Sequence, residues 1–345
     1  MELEQAQKLW RPEPGWLNTA SYGLPPEPAW TALQSALADW RVGRTSWETW
    51  SASTDRARAT FAELVGVPVE DVSVGSVVSQ MFAPVAAALP AGATVVVPEV
   101  EFTSNLFPWL VQAERGVTVR TVPLAGLVDA IDADTDLVAF SLVQSADGTI
   151  APYERIVAAA RAYDALVVVD ATQACGWLPF DAGLADAVAV GAYKWLMGPR
   201  GAGFAYLAPA LRERMRPDAA GWYAGREPYG SFYGPPLRLA DDARRFDISP
   251  AWFSYVGTAP ALEVVAGIGV PAIHAHNVAL ANRFLTGLGQ PPGESAIVTV
   301  DVPGAEEKLA VAGVRAAVRA GRVRASFHVY STVDDVDLAL TALTS

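Results

Sequence analysis

Along the 345-residue chain, short continuous apolar runs alternate with longer stretches of helical period. ATVVVPE (93–99), DLVAFSLV (136–143), ALVVVDATQ (165–173) and DAVAVGAYK (186–194) are apolar runs that end in polar or small residues, as buried strands do. SNLFPWLVQAER (104–115) and YERIVAAARAY (153–163) lie between such runs and read as helices. The alternation predicts βαβ crossovers, and so an α/β fold whose mostly parallel sheet carries helices on both faces. Ligands of such sheets bind outside the carboxyl ends of the strands, where Asp170 and Lys194 fall.

The texture changes after about residue 215. Residues 221–235, GWYAGREPYGSFYGP, place a turn signal every few positions and read as a long functional loop. PAWFSYVGTAPALEVVAGIG (250–269) predicts a helix entered through a proline. Further helical runs near 272–288 and 333–343 alternate with strand-like SAIVTVDV (295–302) and RVRASFHVY (322–330). The expected organisation is an N-terminal segment (1–14), a large domain (15–245) and a small C-terminal α+β domain (246–345).

Composition narrows the function. With 52% hydrophobic and 18% charged residues the chain can bury a core, yet no uncharged apolar run approaches the roughly 20 residues of a membrane helix. The N-terminal MELEQAQKLWRPEPGW is mixed in charge and lacks a signal-peptide pattern, so a soluble cytoplasmic protein without membrane partners is expected. A net charge of −12 argues against nucleic acid as a partner, because phosphate contacts need clustered cations. One cysteine, Cys175, excludes an internal disulfide framework and a cysteine-based zinc cage. His274 and His276 are alternate residues of a predicted helix, point to different faces and have no evident third ligand, so no metal is expected.

An isolated Asp or Lys at a strand end reads as a solvated charge, and the surrounding pattern changes that reading. VVVDATQACGWLPFD (167–181) followed by DAVAVGAYKWLMGPRGAGFAYL (186–207) resembles the signature of the class V aminotransferase-like enzymes, a fold-type I group dependent on pyridoxal 5'-phosphate (PLP). The group includes cysteine desulfurases, kynureninase, isopenicillin N epimerase-like proteins and the C–S lyase of ergothioneine biosynthesis. PLP catalysis needs a lysine amine for the aldehyde, an acid at the pyridine nitrogen and donors around the phosphate. The resemblance implies that Lys194 forms the Schiff base, Asp170 holds the ring nitrogen and Gln173 contacts the ring hydroxyl.

Other positions carry over one by one. VGSVVSQ (74–80) matches the phosphate-cradling turn, which implies Gly75, Ser76 and Val77 as donors at a helix N-terminus. Phe102 in EVEFTSNLFPW (99–109) stands where desulfurases carry the histidine that stacks on the ring. SLVQSADGTIAP (141–152) implies Gln144 and Ser145 in the pocket, and Tyr193 replaces the usual histidine before the lysine as a phosphate ligand. Arg324 in RASFHVYST (324–332) is the candidate clamp on the substrate carboxylate, which a guanidinium fork fits. LNTASYG (17–23) implies Asn18 and Ser21 at the substrate. The aromatic loop offers Tyr223 and Arg226 as lid residues, and FDISPAWF (246–253) implies Ser249 and Trp252 acting across a homodimer.

The implied reaction begins with formation of an external aldimine from a small amino-acid substrate and removal of the α-proton by Lys194. A desulfurase needs a mobile persulfide-carrying cysteine, whereas Cys175 follows the D-x-x-Q element and reads as a small buried residue. The KWLMGPRGAG run and the SPAWF segment resemble the ergothioneine-type lyases and the epimerase-like proteins. The expected activity is therefore β-elimination on a cysteine conjugate or sulfoxide. Transamination or epimerisation is the alternative, and a catalytically silent fold relative that only binds is the alternative of another class.

Overall fold

A computed structural model describes residues 1–319 and 321–345. The main sheet contains β1 (Val72–Gly75), β2 (Thr94–Pro98), β3 (Thr118–Val122), β4 (Leu137–Ser141), β5 (Leu166–Asp170), β6 (Ala187–Gly191) and β7 (Gly203–Leu207), in the spatial order β1-β7-β6-β5-β4-β2-β3. Strands β3, β2, β4, β5 and β6 run parallel, as the alternating pattern predicts, while β7 is antiparallel to both of its neighbours. The reversal follows from the glycine-rich GPRGAG turn, which returns the chain from β6 without the crossover helix that a parallel strand requires. Strands β1, β3 and β7 escape the apolar-run pattern. VSVG is four residues long, and edge strand β3, TVRTV, is half exposed.

Successive residues of a strand point to opposite faces. Val138 and Phe140 of β4, with Val167 and Val169 of β5, join one core, and Leu137, Ala139 and Val168 join the core on the other face. Burial on both sides explains the unbroken apolar runs. The register aligns the functional ends: Ser141 pairs with Asp170, and Gly203 pairs with both Gly191 and Gly75.

A second, three-stranded antiparallel sheet holds β8 (Ile297–Val300), β9 (Ala317–Arg319) and β10 (Arg322–Ser326), in the order β8-β10-β9. Its core of Val298, Val323, Phe327, Phe284 and Val336 also takes in Leu17 from near the N-terminus. Leu17 donates to Arg315 O at 3.0 Å and accepts from Ser326 N at 2.9 Å. The predicted helix at 250–269 forms at Trp252–Ile268 and packs on helices Trp47–Val65 and Glu27–Arg41, placing Tyr255, Leu262 and Val265 in the large core. The expected boundary at residue 246 thus falls ahead of a helix that packs with the main sheet. No single helix among the described residues is long and apolar enough to cross a membrane.

Residues 221–235 form two single 3-10 turns separated by irregular chain. Their aromatics gather around Trp47, whose ring lies 5.1 Å from Trp222, 4.9 Å from Tyr229 and 5.7 Å from Trp252.

Candidate active site

Lys194 lies in the turn after β6, inside a loop closed by Gly198 N donating to Ala192 O at 2.9 Å and Met197 N donating to Lys194 O at 3.1 Å. Lys194 is 7% exposed and forms no ion pair among the described residues, and its ammonium stands 5.6 Å from the ring centres of Phe102 and Tyr193. Burial lowers its pKa to about 8, with Arg324, Arg200 and Arg319 adding repulsion and Asp170 opposing them. The group thereby gives up its proton more readily than a free lysine does.

Asp170 ends β5 and is buried; burial pushes its carboxyl up, against the hydrogen bonds from Thr172 and the charge of Lys194. Thr172 N donates to Asp170 Oδ1 at 2.8 Å, and Thr172 Oγ1 accepts from Gly191 N at 3.0 Å, so β5 and β6 are tied at the site. The other carboxylate oxygen of Asp170 receives no donor among the described residues. Gln173 lines the same cavity, but its side chain is engaged: Nε2 donates to Ala20 O at 2.9 Å, and Oε1 accepts from Trp195 Nε1 at 2.8 Å. One amide hydrogen is left to meet a ligand.

The cavity around these groups measures about 380 Å³, a size that suits a cofactor and a small substrate. Phe102, Ser145 and Tyr193 line it, as their sequence positions imply. At the segment that resembles the phosphate-cradling turn, Val77, Val78 and Ser79 line the cavity, and Gly75 and Ser76 do not. Ser76 N is taken by Gln80 Oε1 at 3.2 Å, and Gly75 O by the Tyr255 hydroxyl at 2.7 Å. Helix Val78–Ala88 begins here, and its first amides are the open donors of a helix N-terminus.

Several site residues carry weaker sequence signals. Glu101, next to Phe102, is buried and accepts from Ser141 N at 2.7 Å, Phe102 N at 2.9 Å, the Ser141 hydroxyl and Gln144 Nε2 at 3.4 Å. Burial, with Asp170 adding to it, pushes its pKa up, against the hydrogen bonds from Ser141 and Phe102. Gln144 is thus a strut for Glu101 rather than a cavity-lining group. Arg200, inside GPRGAG, lies 4.8 Å from the Tyr193 ring and lines the cavity with Ser79, Ser141 and Thr172. A charged residue within a turn motif, or one serine among many, stands out only once the strand ends are assembled.

Arg324 comes from the second sheet and is 1% exposed. Nη2 donates to Ser21 Oγ at 2.9 Å, Nη1 donates to Ser145 O, and Nε has no partner. It meets only neutral acceptors, and burial, with Arg319 adding to it, lowers its pKa to about 10. A buried cation without a counter-ion fits an anionic substrate group. Asn18 supports this corner through its carbonyl, which accepts from Ser21 N at 3.0 Å, and its Oδ1 is buried and unpartnered.

Four expected residues stand elsewhere within this chain. Tyr223 is buried in the large core with its hydroxyl 2.9 Å from Ser51 Oγ, because the aromatic loop folds onto Trp47 and not over the cavity. Arg226 is exposed and paired with Asp241 at 2.8 Å. Ser249 is exposed, Trp252 stacks on Trp47, and neither lines the cavity.

The residues present fit PLP: a buried unpaired lysine, a buried carboxylate with one open oxygen, an aromatic face and helix-terminal amides share one cavity. Comparison with known proteins agrees. The family model for aminotransferase class V matches residues 41–311. The uncharacterized aminotransferase YcbU of Bacillus subtilis is 29% identical over 271 residues, covering 75% of this chain and 71% of that one. A probable cysteine desulfurase of Methanothermobacter thermautotrophicus is 27% identical, covering 72% of this chain and 71% of its own length. The solved structure of the cystine C–S lyase C-DES superposes with a TM-score of 0.86 at 21% identity, covering 96% of this chain and 98% of that one. With the matched segment spanning most of its length, this chain belongs to the class V aminotransferase family of PLP-dependent enzymes.

Proposed function

We propose that this enzyme is a lyase that eliminates a sulfur fragment from the β-carbon of a cysteine-derived amino acid. One observation carries the reading: a buried arginine without a counter-ion among the described residues, Arg324, borders through Ser145 the cavity that holds a buried lysine of lowered pKa, while the chain's one cysteine does not line that cavity. Cys175 is 2% exposed, and burial pushes its thiol up to about 12, so it is no acceptor for sulfur. The sulfur fragment would then leave into solution rather than onto the protein.

Lys194 would hold the cofactor covalently, Asp170 would keep a proton at its pyridine nitrogen, Phe102 would cover its ring, and Val77, Val78, Ser79 and Tyr193 would receive its phosphate. Bound there, PLP supplies an electron sink for negative charge at the substrate α-carbon. Arg324, held by Ser21 and Ser145, orients the α-carboxylate and with it the Cα–H bond. Once the substrate amine has taken its place on the cofactor, the freed Lys194 amine would take the α-proton. The electrons of that bond form a double bond to Cβ as the Cβ–S pair departs with sulfur, and the proton on Lys194 is available to the leaving thiolate. Hydrolysis of the product gives a keto acid and ammonia.

The test is a panel of S-substituted cysteines and cysteine sulfoxides assayed for keto acid and ammonia. Equal release of both without an added amino acceptor supports the lyase. Keto acid that appears only with an acceptor would make the enzyme a transaminase, and inversion at Cα without release would make it an epimerase. A homodimer is part of the proposal, supported by the exposed aromatics Trp40, Tyr229, Phe232 and Tyr233; light scattering that finds a monomer removes it.

A further inference from the structure

Beside the cavity, where Arg324 reaches the lining residue Ser145, a second arginine lies close to the first. From residue 308 to residue 333 the chain holds Lys308, Arg315, Arg319, Arg322 and Arg324 and no Asp or Glu, in a protein of net charge −12. Arg315 is paired with Glu13, and Arg322 donates to Thr299 O. Arg319 and Arg324 instead converge on Ser21 Oγ, at 3.5 Å and 2.9 Å. Neither meets a carboxylate within 4.0 Å among the described residues.

Two guanidinium groups drawn to one hydroxyl repel each other, and an anion between them relieves that repulsion. Arg324 lies inside, and its planar fork matches both oxygens of one carboxylate. Arg319, at the end of β9, is exposed at the outer side of the same corner. We propose that Arg319 forms a second anion subsite, so that the substrate is an amino acid carrying a further carboxylate on its sulfur substituent, a few atoms beyond the α-carboxylate. This rests on the reading above that Arg324 takes the α-carboxylate.

Two conjugates of equal length test it, S-(2-carboxyethyl)-L-cysteine and its neutral counterpart S-(2-carbamoylethyl)-L-cysteine. Each is titrated into the PLP-loaded protein, with Kd read from the change in the visible band and pyruvate followed separately. The acidic conjugate is expected to bind about tenfold tighter, equivalent to ~1.4 kcal/mol. Arg319→Gln should abolish the preference, Arg319→Lys should keep part of it, and salt should weaken it because the group is exposed. Arg324→Gln should weaken both conjugates and leave the preference in place. Equal affinities in the wild type, or a preference that survives Arg319→Gln, overturn the subsite, and failure of both conjugates to bind overturns it together with the Arg324 assignment. A preference without pyruvate release sinks the lyase and leaves the subsite standing; pyruvate release with equal affinities does the reverse.

Discussion

Gly23 lies directly against the backbone of Lys194: its amide donates to Tyr193 O at 3.0 Å, and a β-carbon on it would come within 1.9 Å of Lys194 O. The N-terminal segment thus clamps the backbone that carries the reactive amine. Gly23→Ala must push Lys194 out of position, and a displacement of this order costs roughly 100-fold where reacting groups must meet. Stopped-flow measurement of PLP capture by the apoprotein checks this, and a rate equal to the wild type would refute it.

The lowered pKa of Lys194 has a defined pH signature. Only the neutral amine attacks an aldehyde. Below a pKa of about 8 the group is charged and unreactive, and above it capture reaches its plateau. The rate of PLP capture should rise with pH to a midpoint near 8, well under the ~10.4 of a free lysine. Arg200→Gln removes one of the repelling cations, so its midpoint should move upward.

Arg324 should trade stability for function. A buried cation without a counter-ion opposes folding, and replacing it with a long unbranched apolar side chain lifts that cost. We expect Arg324→Met to raise the stability of the apoprotein by about 1 kcal/mol. The same variant should bind amino-acid ligands roughly 10- to 100-fold more weakly, through loss of charge-assisted hydrogen bonds. Denaturant melts and spectral titration give the two readings.

Asp247 and Arg58 form the opposite case. Both are buried, Arg58 Nη2 meets Asp247 Oδ2 at 2.6 Å, and Val74 N donates to Asp247 Oδ1 at 2.8 Å, which ties β1 to the segment before helix Trp252–Ile268. Asp247→Ala leaves the buried guanidinium with only the exposed Asp55, 3.9 Å away, as a counter-ion, so a loss of about 3 kcal/mol is expected in urea unfolding. A loss under 1 kcal/mol would mean that water reaches Arg58.

Glu101 accepts from four donors at once, among them the amide of Phe102 and both donors of Ser141. A glutamine there turns an NH2 group toward N–H donors. Glu101→Gln should cost about 1–3 kcal/mol of stability. It should also shift the visible band of bound PLP through displacement of Phe102, whereas an unshifted band would confine Glu101 to a role away from the ring.

Much of the site was legible because the strands are buried on both faces. Burial forces unbroken apolar runs, and the first polar residue after such a run marks the sheet edge where a ligand can bind. Asp170 and the approach to Lys194 stood out for that reason. Glu101, Arg200 and Ser79 carry no such mark, since residues of turns and helix starts acquire their neighbours from other strands. Tyr223 and Arg226 were drawn toward the substrate by the composition of their loop, yet Trp47 offers its aromatics a closer partner, and an exposed arginine finds Asp241.

The sequence by itself determined the alternation of strands and helices and the main sheet's dominant direction, because periodicity is a local property, while Lys194 and Asp170 were singled out by the resemblance of their flanking motifs to the family's. Only the tertiary structure decided that Gly23 abuts Lys194, that Ser21 joins Arg324 across 303 positions, and that Arg319 shares that corner. Those relations depend on how a second sheet docks beside the first with Leu17 in its core, and side-chain packing between distant segments leaves no period along the chain.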